Sequence, residues 1–516
     1  MTTEAPEAKA ADPSVFVPDV PDQIHLSFGD TPGEMVVMWS TSDDTDGYVA
    51  YWEFGQDSRN VANSTTAMLG DENVRAKRKL HRAVMKNLTR GTQHAYSVIS
   101  MNCCNLTSSG VFNFTTMPDG HDWPTRFLVY GDMGSRAGVP TFPLLEEEVG
   151  TGLYHAVWHV GDLAYDLHSG EGAVGDDFMR KIEKIAAQIP YMTSPGNHEI
   201  AVETTNDFGN YRTRFSMPNI MWPMPINKLW YSYNVGLAHV ISYSTEVYFT
   251  YNQDYVCDQY YWLLDDLIQA NKNRAERPWV IAMGHRPMYC SNNNGDYCTG
   301  GWINRFVKYG LDDLFYAQGV DVIIEAHEHS YERLWPVYDG IVTEKSYKNP
   351  RAPVHIISGA AGCQEGIDKM KVKGGVWSAF KADSRSNHTY GRILIPNATH
   401  FLFEQISVKD KYILDSFWLH QKNHGSFEHN VTCEGDSRHP SCSCPPPFHF
   451  ETIMIICATS LLIVIVSIIF LCTIFIHHKC RGRRNHHLRE SEQKLLDPEN
   501  TAENSDDDSF NKFLGD

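Results

Sequence analysis

The sequence predicts two folded domains, a β-sandwich followed by a layered α/β domain, and a single transmembrane helix near the C-terminus. Short aromatic and β-branched runs fill the first quarter of the chain, strand-like runs then alternate with helical stretches, and one long uncharged apolar segment follows. A chain of 516 residues is long enough for more than one domain. The net charge of −19 argues against a nucleic-acid-binding surface.

The N-terminal part is predicted to be a β domain. Residues 1–20 begin with an Ala-, Glu-, Pro- and Thr-rich stretch and are expected to form a disordered lead. Residues 21–118 contain strand-type runs at 35–39, 49–52 and 95–99, separated by Gly, Asp and Asn turns. They predict a sandwich of the immunoglobulin or fibronectin type III kind, whose expected role is to pack and shield.

The second domain is predicted over residues 122–420. Its strand-like runs alternate with helical stretches such as 176–188 and 258–273, which is typical of layered α/β architecture with functional residues at strand ends. The strand-like runs are 126–130, 156–160, 279–283, 320–325, 354–358 and 399–406.

Five short polar blocks each end an apolar run, so each places its side chains at the mouth of a sheet. The blocks are 131–134, 161–165, 196–199, 284–285 and 326–329. Their seven potential metal ligands are Asp132, Asp162, Tyr165, Asn197, His285, His327 and His329. Carboxylate, amide, imidazole and phenolate donors suit iron, zinc or manganese. The ordered set predicts a two-metal hydrolytic site.

Two of these residues have distinct expected roles. Two cations close together need a shared anionic oxygen, and Asp162 is the natural bridge. Tyr165, in the same turn, could give a phenolate, which is a strong donor to ferric ion. The neighbouring histidines His155, His159 and His168 are expected to pack or lie at the surface rather than to bind metal.

The blocks resemble those of the calcineurin-like metallophosphoesterases, and the tyrosine in 161–165 makes the chain similar to the purple acid phosphatases. The longer runs 284–290 and 325–333 resemble the animal high-molecular-weight form, and the resemblance covers roughly 21–420. It implies a metallophosphoesterase sandwich domain behind the fibronectin-like domain. It also implies a ferric ion on Asp132, Asp162, Tyr165 and His329, and a second metal (Zn, Fe or Mn) on Asp162, Asn197, His285 and His327.

The implied activity is that of an acid phosphatase. A metal-bound hydroxide would attack a phosphate monoester, while His198, which faces the substrate, would protonate the leaving alkoxide. Asp162 and His198 are therefore the expected catalytic residues. A phosphodiesterase or nucleotide pyrophosphatase with the same dinuclear centre is the alternative, and a silent binding or adhesion protein is a third hypothesis.

One region departs from the family pattern. Plant relatives carry two adjacent histidines after the position of His285 that help to bind phosphate, whereas residues 292–298 contain no histidine. Arg286 could supply positive charge there or form a structural ion pair, and both roles stay open. A disulfide between Cys290 and Cys298 is expected to close this loop. The resemblance therefore does not determine substrate preference.

The C-terminal part predicts a membrane anchor. Residues 421–452 form a stalk, and residues 453–476 an uncharged apolar run that, at ~1.5 Å per residue, exceeds the ~30 Å hydrocarbon core. Lys479, Arg481 and Arg483 follow, which places the tail 477–516 in the cytosol. Because the first 21 residues contain no apolar signal-peptide run, a cytosolic tail-anchored enzyme is the alternative.

Glycosylation sequons support the first orientation. Seven precede the apolar run and none follows it, which favours an extracellular or lumenal catalytic domain at the cell surface, endosome or lysosome. The sequons begin at Asn63, Asn87, Asn105, Asn113, Asn387, Asn397 and Asn430. The expected partners are phosphate esters and the membrane, without nucleic acid, and a homodimer is left open.

Overall fold

The structure is a computed structural model that describes residues 20–41, 45–69, 78–101, 106–135, 140–201, 208–249, 254–292, 310–371, 373–382 and 388–428. In these ranges no helix has both the length and the apolar character needed to cross a membrane. The predicted transmembrane run 453–476 and the tail lie outside the described residues, as do nearly all of the lead and most of the stalk.

Two layers of antiparallel strands form the first domain, and they confirm the predicted β-sandwich. The strands are β1 Asp22–Phe28, β2 Met35–Thr41, β3 Asp46–Glu53, β4 Asn60–Leu69, β5 Arg78–Met85, β6 Gln93–Met101, β7 Leu106–Ser108 and β8 Phe112–Thr115. The hydrogen-bonded order is β1-β2-β5-β4-β3-β6-β7, and β8 also pairs with β6. Strand β4 pairs with β3 through its first half and with β5 through its second half, so it passes from one layer to the other.

The core of this domain is aromatic and tightly packed. Trp39 on β2 is 1% exposed. Its ring faces Gly47 on β3, where an added Cβ would lie 2.9 Å from the ring and 2.8 Å from the carbonyl oxygen of Ile99. Glycine at this position therefore lets the two layers approach closely enough to exclude water.

The second domain alternates strands and helices, as predicted. Its elements are β9 Thr125–Tyr130, α1 Thr141–Gly150, β10 Ala156–Val160, α2 Ala173–Ala186, β11 Tyr191–Ser194, α3 Gly209–Arg214, β12 Tyr231–Val235, β13 Ala238–Ser242, α4 Asp254–Lys272, β14 Trp279–Met283, α5 Leu311–Gln318, β15 Val322–Glu325, β16 Tyr331–Leu334, β17 Val337–Tyr338, β18 Ile341–Val342, β19 Val354–Ser358, β20 Ser378–Lys381, β21 Thr389–Asn397, β22 His400–Ser407 and β23 Ile413–His420. Helices α2 and α4 begin a few residues before their predicted starts. Gly172, with a left-handed φ of 87°, ends the loop ahead of α2.

Two mixed sheets form the centre of this domain. One has the order β11-β10-β9-β21-β22-β23, and the other has the order β12-β13-β14-β15-β19-β16-β20. Strands β9, β10 and β11 are parallel, as are β13, β14, β15 and β19. Parallel strands end at the same edge of a sheet, so the polar blocks that follow them are brought to common edges.

Side-chain alternation places one sheet between two apolar layers. Ile281 and Ile324 join the same core as Phe127 and Trp158 of the other sheet. Val280 and Ile323, on the opposite face, pack into a second core with residues of α4 and α5, including Leu263 and Phe315. Such alternation is what a strand buried on both faces requires, and it explains the continuous apolar runs in the sequence.

Candidate metal centre

All five polar blocks follow the carboxyl ends of parallel strands. Blocks 131–134, 161–165 and 196–199 follow β9, β10 and β11 of one sheet, whereas 284–285 and 326–329 follow β14 and β15 of the other. The candidate centre therefore lies where edges of the two sheets meet.

Four of the candidate ligands have left-handed backbone conformations. The φ angles are 57° at Asp132, 50° at Asp162, 56° at Tyr165 and 65° at His327. Such values are uncommon for residues other than glycine and are energetically costly, and they cluster at functional sites. The backbone is therefore strained at the four residues that carry these donor side chains.

Glycines allow the ligand loops to touch. An added Cβ on Gly161, whose φ is 78°, would lie 2.3 Å from Nδ1 of His285. An added Cβ on Gly196 would lie 2.3 Å from Oδ1 of Asp162. The glycines that precede Asp162 and Asn197 thus leave the space in which donors from different loops meet.

One group of donors surrounds the imidazole of His285. Its Nε2 lies 3.1 Å from Oδ1 of Asn197, 3.2 Å from Oδ2 of Asp162 and 3.2 Å from Nδ1 of His327. The ligand atoms of Asp162, His285 and His327 all lie within 4.8 Å of one another. These residues come from three loops and form a compact set of nitrogen and oxygen donors.

A second group contains the tyrosine. The Tyr165 hydroxyl lies 2.7 Å from Nε2 of His329 and 3.4 Å from Oδ1 of Asp132. The distance between Nε2 of His329 and Oδ1 of Asp132 is 3.5 Å. The other oxygen of Asp132 accepts the backbone N–H of His327 at 3.0 Å. The structure therefore brings all seven predicted ligands together in two adjoining groups.

Hydrogen bonds orient two of the imidazoles for metal binding. Nδ1 of His285 lies 2.9 Å from the carbonyl oxygen of Val160, and Nδ1 of His329 lies 3.0 Å from that of Gly366. Each ring therefore donates through Nδ1 and turns Nε2 toward the donor groups, as metal-binding histidines commonly do. The donor chemistry and ring orientation fit a dinuclear metal site.

The electrostatics of these groups also suit cations. Burial lowers the pKa of His285, but the Asp162 carboxylate outweighs it and raises the pKa to about 10. Burial likewise opposes protonation of His329, yet hydrogen bonding to Asp132 raises its pKa to about 12. Burial and the carboxylates of Asp132 and Asp162 raise the pKa of Tyr165. Protons thus balance the negative charge here, which is the role that metal ions would take.

His198 lies beside the donor groups and faces a cavity. Its Nδ1 is 3.0 Å from Oδ1 of Asp166, and its Nε2 is 3.9 Å from Oδ2 of Asp162. Burial lowers its pKa, but the Asp162 and Asp166 carboxylates outweigh burial and raise it. The cavity has a volume of about 260 Å³ and is lined by Asp162, Asn197, His198, His327, His329, Glu365 and Asp368. A larger cavity of about 370 Å³, near the first domain, contains none of the candidate ligands.

Glu199 is a site residue that the sequence analysis quoted but gave no role. It is 1% exposed. Its carboxylate accepts the backbone N–H groups of Asp162 and Leu163, each at 2.9 Å, and that of Gly196 at 2.8 Å. It therefore joins the two loops that carry Asp162 and Asn197. The sequence feature that could have indicated this role is the position of Glu199 directly after Asn197 and His198.

The structure favours one of the two roles left open for Arg286. Its Nε lies 3.0 Å from Oε1 of Glu246, a fully buried carboxylate, and its Nη1 lies 3.0 Å from Nε2 of His327. The Phe249 ring covers the guanidinium, with 4.4 Å between the Cζ atom and the ring centroid. This arrangement is a structural ion pair beside the centre.

The histidine-free loop is described only at its start. Nδ2 of the buried Asn292 donates to Oδ2 of Asp368 at 3.1 Å, which ties this loop to the cavity lining. Cys290 is disulfide-bonded, but Cys298 lies outside the described residues, so their pairing stays a prediction.

The structure also shows the positions of two neighbouring histidines and of four of the predicted glycosylation sites. His159 is fully buried, with Nδ1 2.7 Å from the Tyr191 hydroxyl, and Nδ1 of His155 accepts the backbone N–H of Arg126, so neither lies among the donors. Asn63, Asn87 and Asn397 are exposed and Asn113 is half-buried, whereas the sequons at Asn105, Asn387 and Asn430 lie outside the described residues.

Comparisons with known proteins match nearly the whole described chain. The family description "Purple acid Phosphatase, N-terminal domain" matches residues 21–116, "Calcineurin-like phosphoesterase" matches 125–331, and "Iron/zinc purple acid phosphatase-like protein C" matches 352–416. Acid phosphatase type 7 of Danio rerio is 40% identical over 428 residues, which cover 78% of this chain and 92% of the relative. The Homo sapiens protein of the same name is 43% identical over 417 residues, covering 77% and 90%.

A solved structure agrees with the fold. A purple acid phosphatase isolated from yellow lupin (Lupinus luteus) seeds superposes with a TM-score of 0.68 at 21% identity, covering 83% of this chain and 78% of that chain. At this identity the likeness concerns the fold alone.

Proposed function

The chain belongs to the purple acid phosphatase family, and from this premise we propose that it is a membrane-anchored acid phosphatase that hydrolyses phosphate monoesters at acidic pH. The observation that carries the proposal is the meeting of two adjoining donor groups, one that contains Asp162 and His285 and one that contains Tyr165 and His329, beside a cavity that His198 faces. A site that only bound a partner would not require strained turns that bring seven metal-type donors together.

The donor groups support a dinuclear metal site. Asp132, Asp162, Tyr165 and His329 would hold a ferric ion, and Asp162, Asn197, His285 and His327 a divalent zinc, iron or manganese ion. A phenolate donor suits ferric ion, and Tyr165 supplies it on one side only. When bound, the two ions would neutralise phosphate charge and lower the pKa of the water that serves as the nucleophile.

His198 would donate the proton that the leaving group needs. Asp166 accepts its Nδ1–H and fixes the ring, so Nε2 faces the cavity. At acidic pH the protonated imidazole keeps its bond to Asp166 and gives the Nε2 proton to the leaving alkoxide, which departs as the alcohol. The buried Glu199 holds the backbone on either side of this arrangement.

The proposed setting is lumenal or extracellular, at the cell surface, endosome or lysosome. The exposed sequons Asn63, Asn87 and Asn397 and the apolar run 453–476 support a type I topology. Glycosylation at these positions is a part of the proposal that rests on sequence.

The His198→Ala variant tests the proposed mechanism. With metal bound, we expect kcat for an alkyl phosphate to fall by ~10²–10⁴-fold. The loss should be smaller for p-nitrophenyl phosphate, because its phenolate leaves without a proton. The matched control His168→Ala, in the neighbouring loop, should retain activity. Full activity of the His198 variant on the alkyl ester would refute the acid role, and faster cleavage of bis-p-nitrophenyl phosphate than of the monoester would favour the phosphodiesterase alternative.

A further inference from the structure

Carboxylates line the outer side of the catalytic cavity. Oε1 of Glu365 lies 3.8 Å from Nε2 of His198, and its Oε2 lies 3.9 Å from Nε2 of His329. The Glu365 side chain is 54% exposed, so it faces both the cavity and solvent. Asp368 is also in the lining, where it accepts the backbone N–H of His329 at 2.7 Å.

Apart from the imidazoles, the lining contains no cationic side chain among the residues that the structure describes. Its residues include no lysine or arginine, and Lys369, beside Asp368, is exposed. Arg286, the cation closest along the chain to a ligand, is neutralised by Glu246 and covered by Phe249. Among the described lining residues, the charged groups other than the predicted metal ligands are therefore His198, which is protonated at acidic pH, and the carboxylates of Glu365 and Asp368.

We infer that the cavity selects phosphate monoesters whose alcohol carries a positive charge over those whose alcohol carries a negative charge, with Glu365 as the specificity-determining residue. The inference rests on the proposed phosphatase function. It concerns the leaving alcohol, because the phosphate itself would be bound by the metal ions.

Glu365 lies where it can contact a substituent of the leaving alcohol. Nε2 of His198 is the atom that would reach the leaving oxygen, and the Glu365 carboxylate lies next to it. A substituent on the leaving alcohol would therefore lie near this half-exposed carboxylate. An ammonium group there would be attracted and a carboxylate repelled, in both cases with the modest strength of a half-exposed ion pair.

Three esters of similar size test the inference: 2-aminoethyl, propyl and 2-carboxyethyl phosphate, assayed at pH 6 with the full-length, metal-loaded protein. The measured quantity is the ratio of kcat/KM for the aminoethyl ester to that for the carboxyethyl ester. In Glu365→Gln this ratio should fall by about two- to fivefold relative to wild type. Comparing variant with wild type cancels the intrinsic reactivities of the esters.

Two further measurements make the outcome decisive. Glu365→Lys should lower the ratio more than Glu365→Gln does, and added salt should reduce the wild-type ratio. Glu147→Gln, which removes a surface carboxylate that is 72% exposed on α1, should leave the ratio unchanged. An unchanged ratio in both Glu365 variants, with propyl phosphate still hydrolysed, overturns the inference alone. Failure of the loaded wild-type protein to hydrolyse propyl phosphate overturns the proposed function as well.

Discussion

Glu199 illustrates what a single residue contributes to this site. It lies among the candidate ligands in the sequence, yet its carboxylate binds only backbone N–H groups, from two different loops. A buried carboxylate with three such donors stabilises the positions of Asp162 and Asn197 without contacting substrate. Side chains that orient metal ligands in this way commonly affect metal affinity.

Replacing Glu199 with glutamine should weaken metal binding. An amide presents one oxygen and one NH₂ group, so an N–H donor would face another donor and at least one hydrogen bond would be lost. We expect metal affinity to fall ~10–100-fold and stability to fall by ~1.5–3 kcal/mol. Metal titration and thermal unfolding measure these changes. Glu404→Gln on β22, 3.9 Å from Arg392, is the control, and wild-type metal affinity in Glu199→Gln would contradict the assigned role.

At the scale of elements, the site depends on where strands end. Strands β9, β10 and β11 bring three loops to one sheet edge, and β14 and β15 bring two more from the facing sheet. These loops can converge only because glycine stands where they touch. Gly161 has His285 against it and a left-handed φ as well, so two separate requirements exclude a side chain there.

The Gly161→Ala variant should separate these two requirements. The methyl group would collide with the His285 ring, so we expect loss of metal binding together with lower stability. Gly152→Ala is a matched control, because Gly152 has a similar φ of 69° and no atom within 4 Å of an added Cβ. It should cost only ~1 kcal/mol and leave metal binding intact. Equal effects of the two substitutions would mean that backbone strain, and not the collision, dominates.

For the whole molecule, the β-sandwich is joined to the catalytic domain through buried polar contacts. Arg214 on α3, 1% exposed, lies 3.0 Å from Asp176 on α2 and donates to Oε1 of Gln23 on β1 at 3.0 Å. The Tyr96 hydroxyl of β6 donates to the carbonyl oxygen of Ala187 at 2.7 Å. The loop that carries Asp162 and Tyr165 leads into α2. The contacts with the sandwich therefore stabilise the helix that directly follows the ligand loop.

Stability of the whole chain should decline on acidification through buried neutral histidines. Burial lowers the pKa of His81, which stacks on Trp39, to about 4. Its folded pKa lies below its unfolded value of 6.5, so its contribution is complete above pH ~6.5 and is lost as the pH falls toward 4. At pH ~4.5 the loss should be about 2–3 kcal/mol.

Urea unfolding between pH 7.5 and pH 4.5 at roughly half-unit steps measures this effect. The His81→Gln variant should be less stable than wild type near neutral pH, but its free energy of unfolding should fall less on acidification. Parallel pH profiles for the two proteins would show that His81 does not titrate as its burial requires.

The donor chemistry and the layered fold could both be predicted from local sequence patterns. Each donor requires a particular residue type, and four of the five strand ends have a glycine within two residues, whereas β15 is followed by Ala326. Both signals are local and can be read along the chain. For the same reason the β-sandwich and the alternating second domain were predictable. The apolar run 453–476 is an equally local signal, and its transmembrane role stays a prediction.

The contacts between distant segments of the chain become apparent only in the folded structure. Four contacts join residues that are far apart in the chain. They are the approach of His285 to Asp162 from the other sheet, the ion pair of Arg286 with Glu246, the hydrogen bonds of Glu199 to two loops, and the hydrogen bond from Asn292 to Asp368. No short pattern encodes such distances, because they depend on sheet order, register and close packing of the whole core. The charge around the cavity follows from these pairings, so the basis of the proposed ester selectivity could not be read from the sequence.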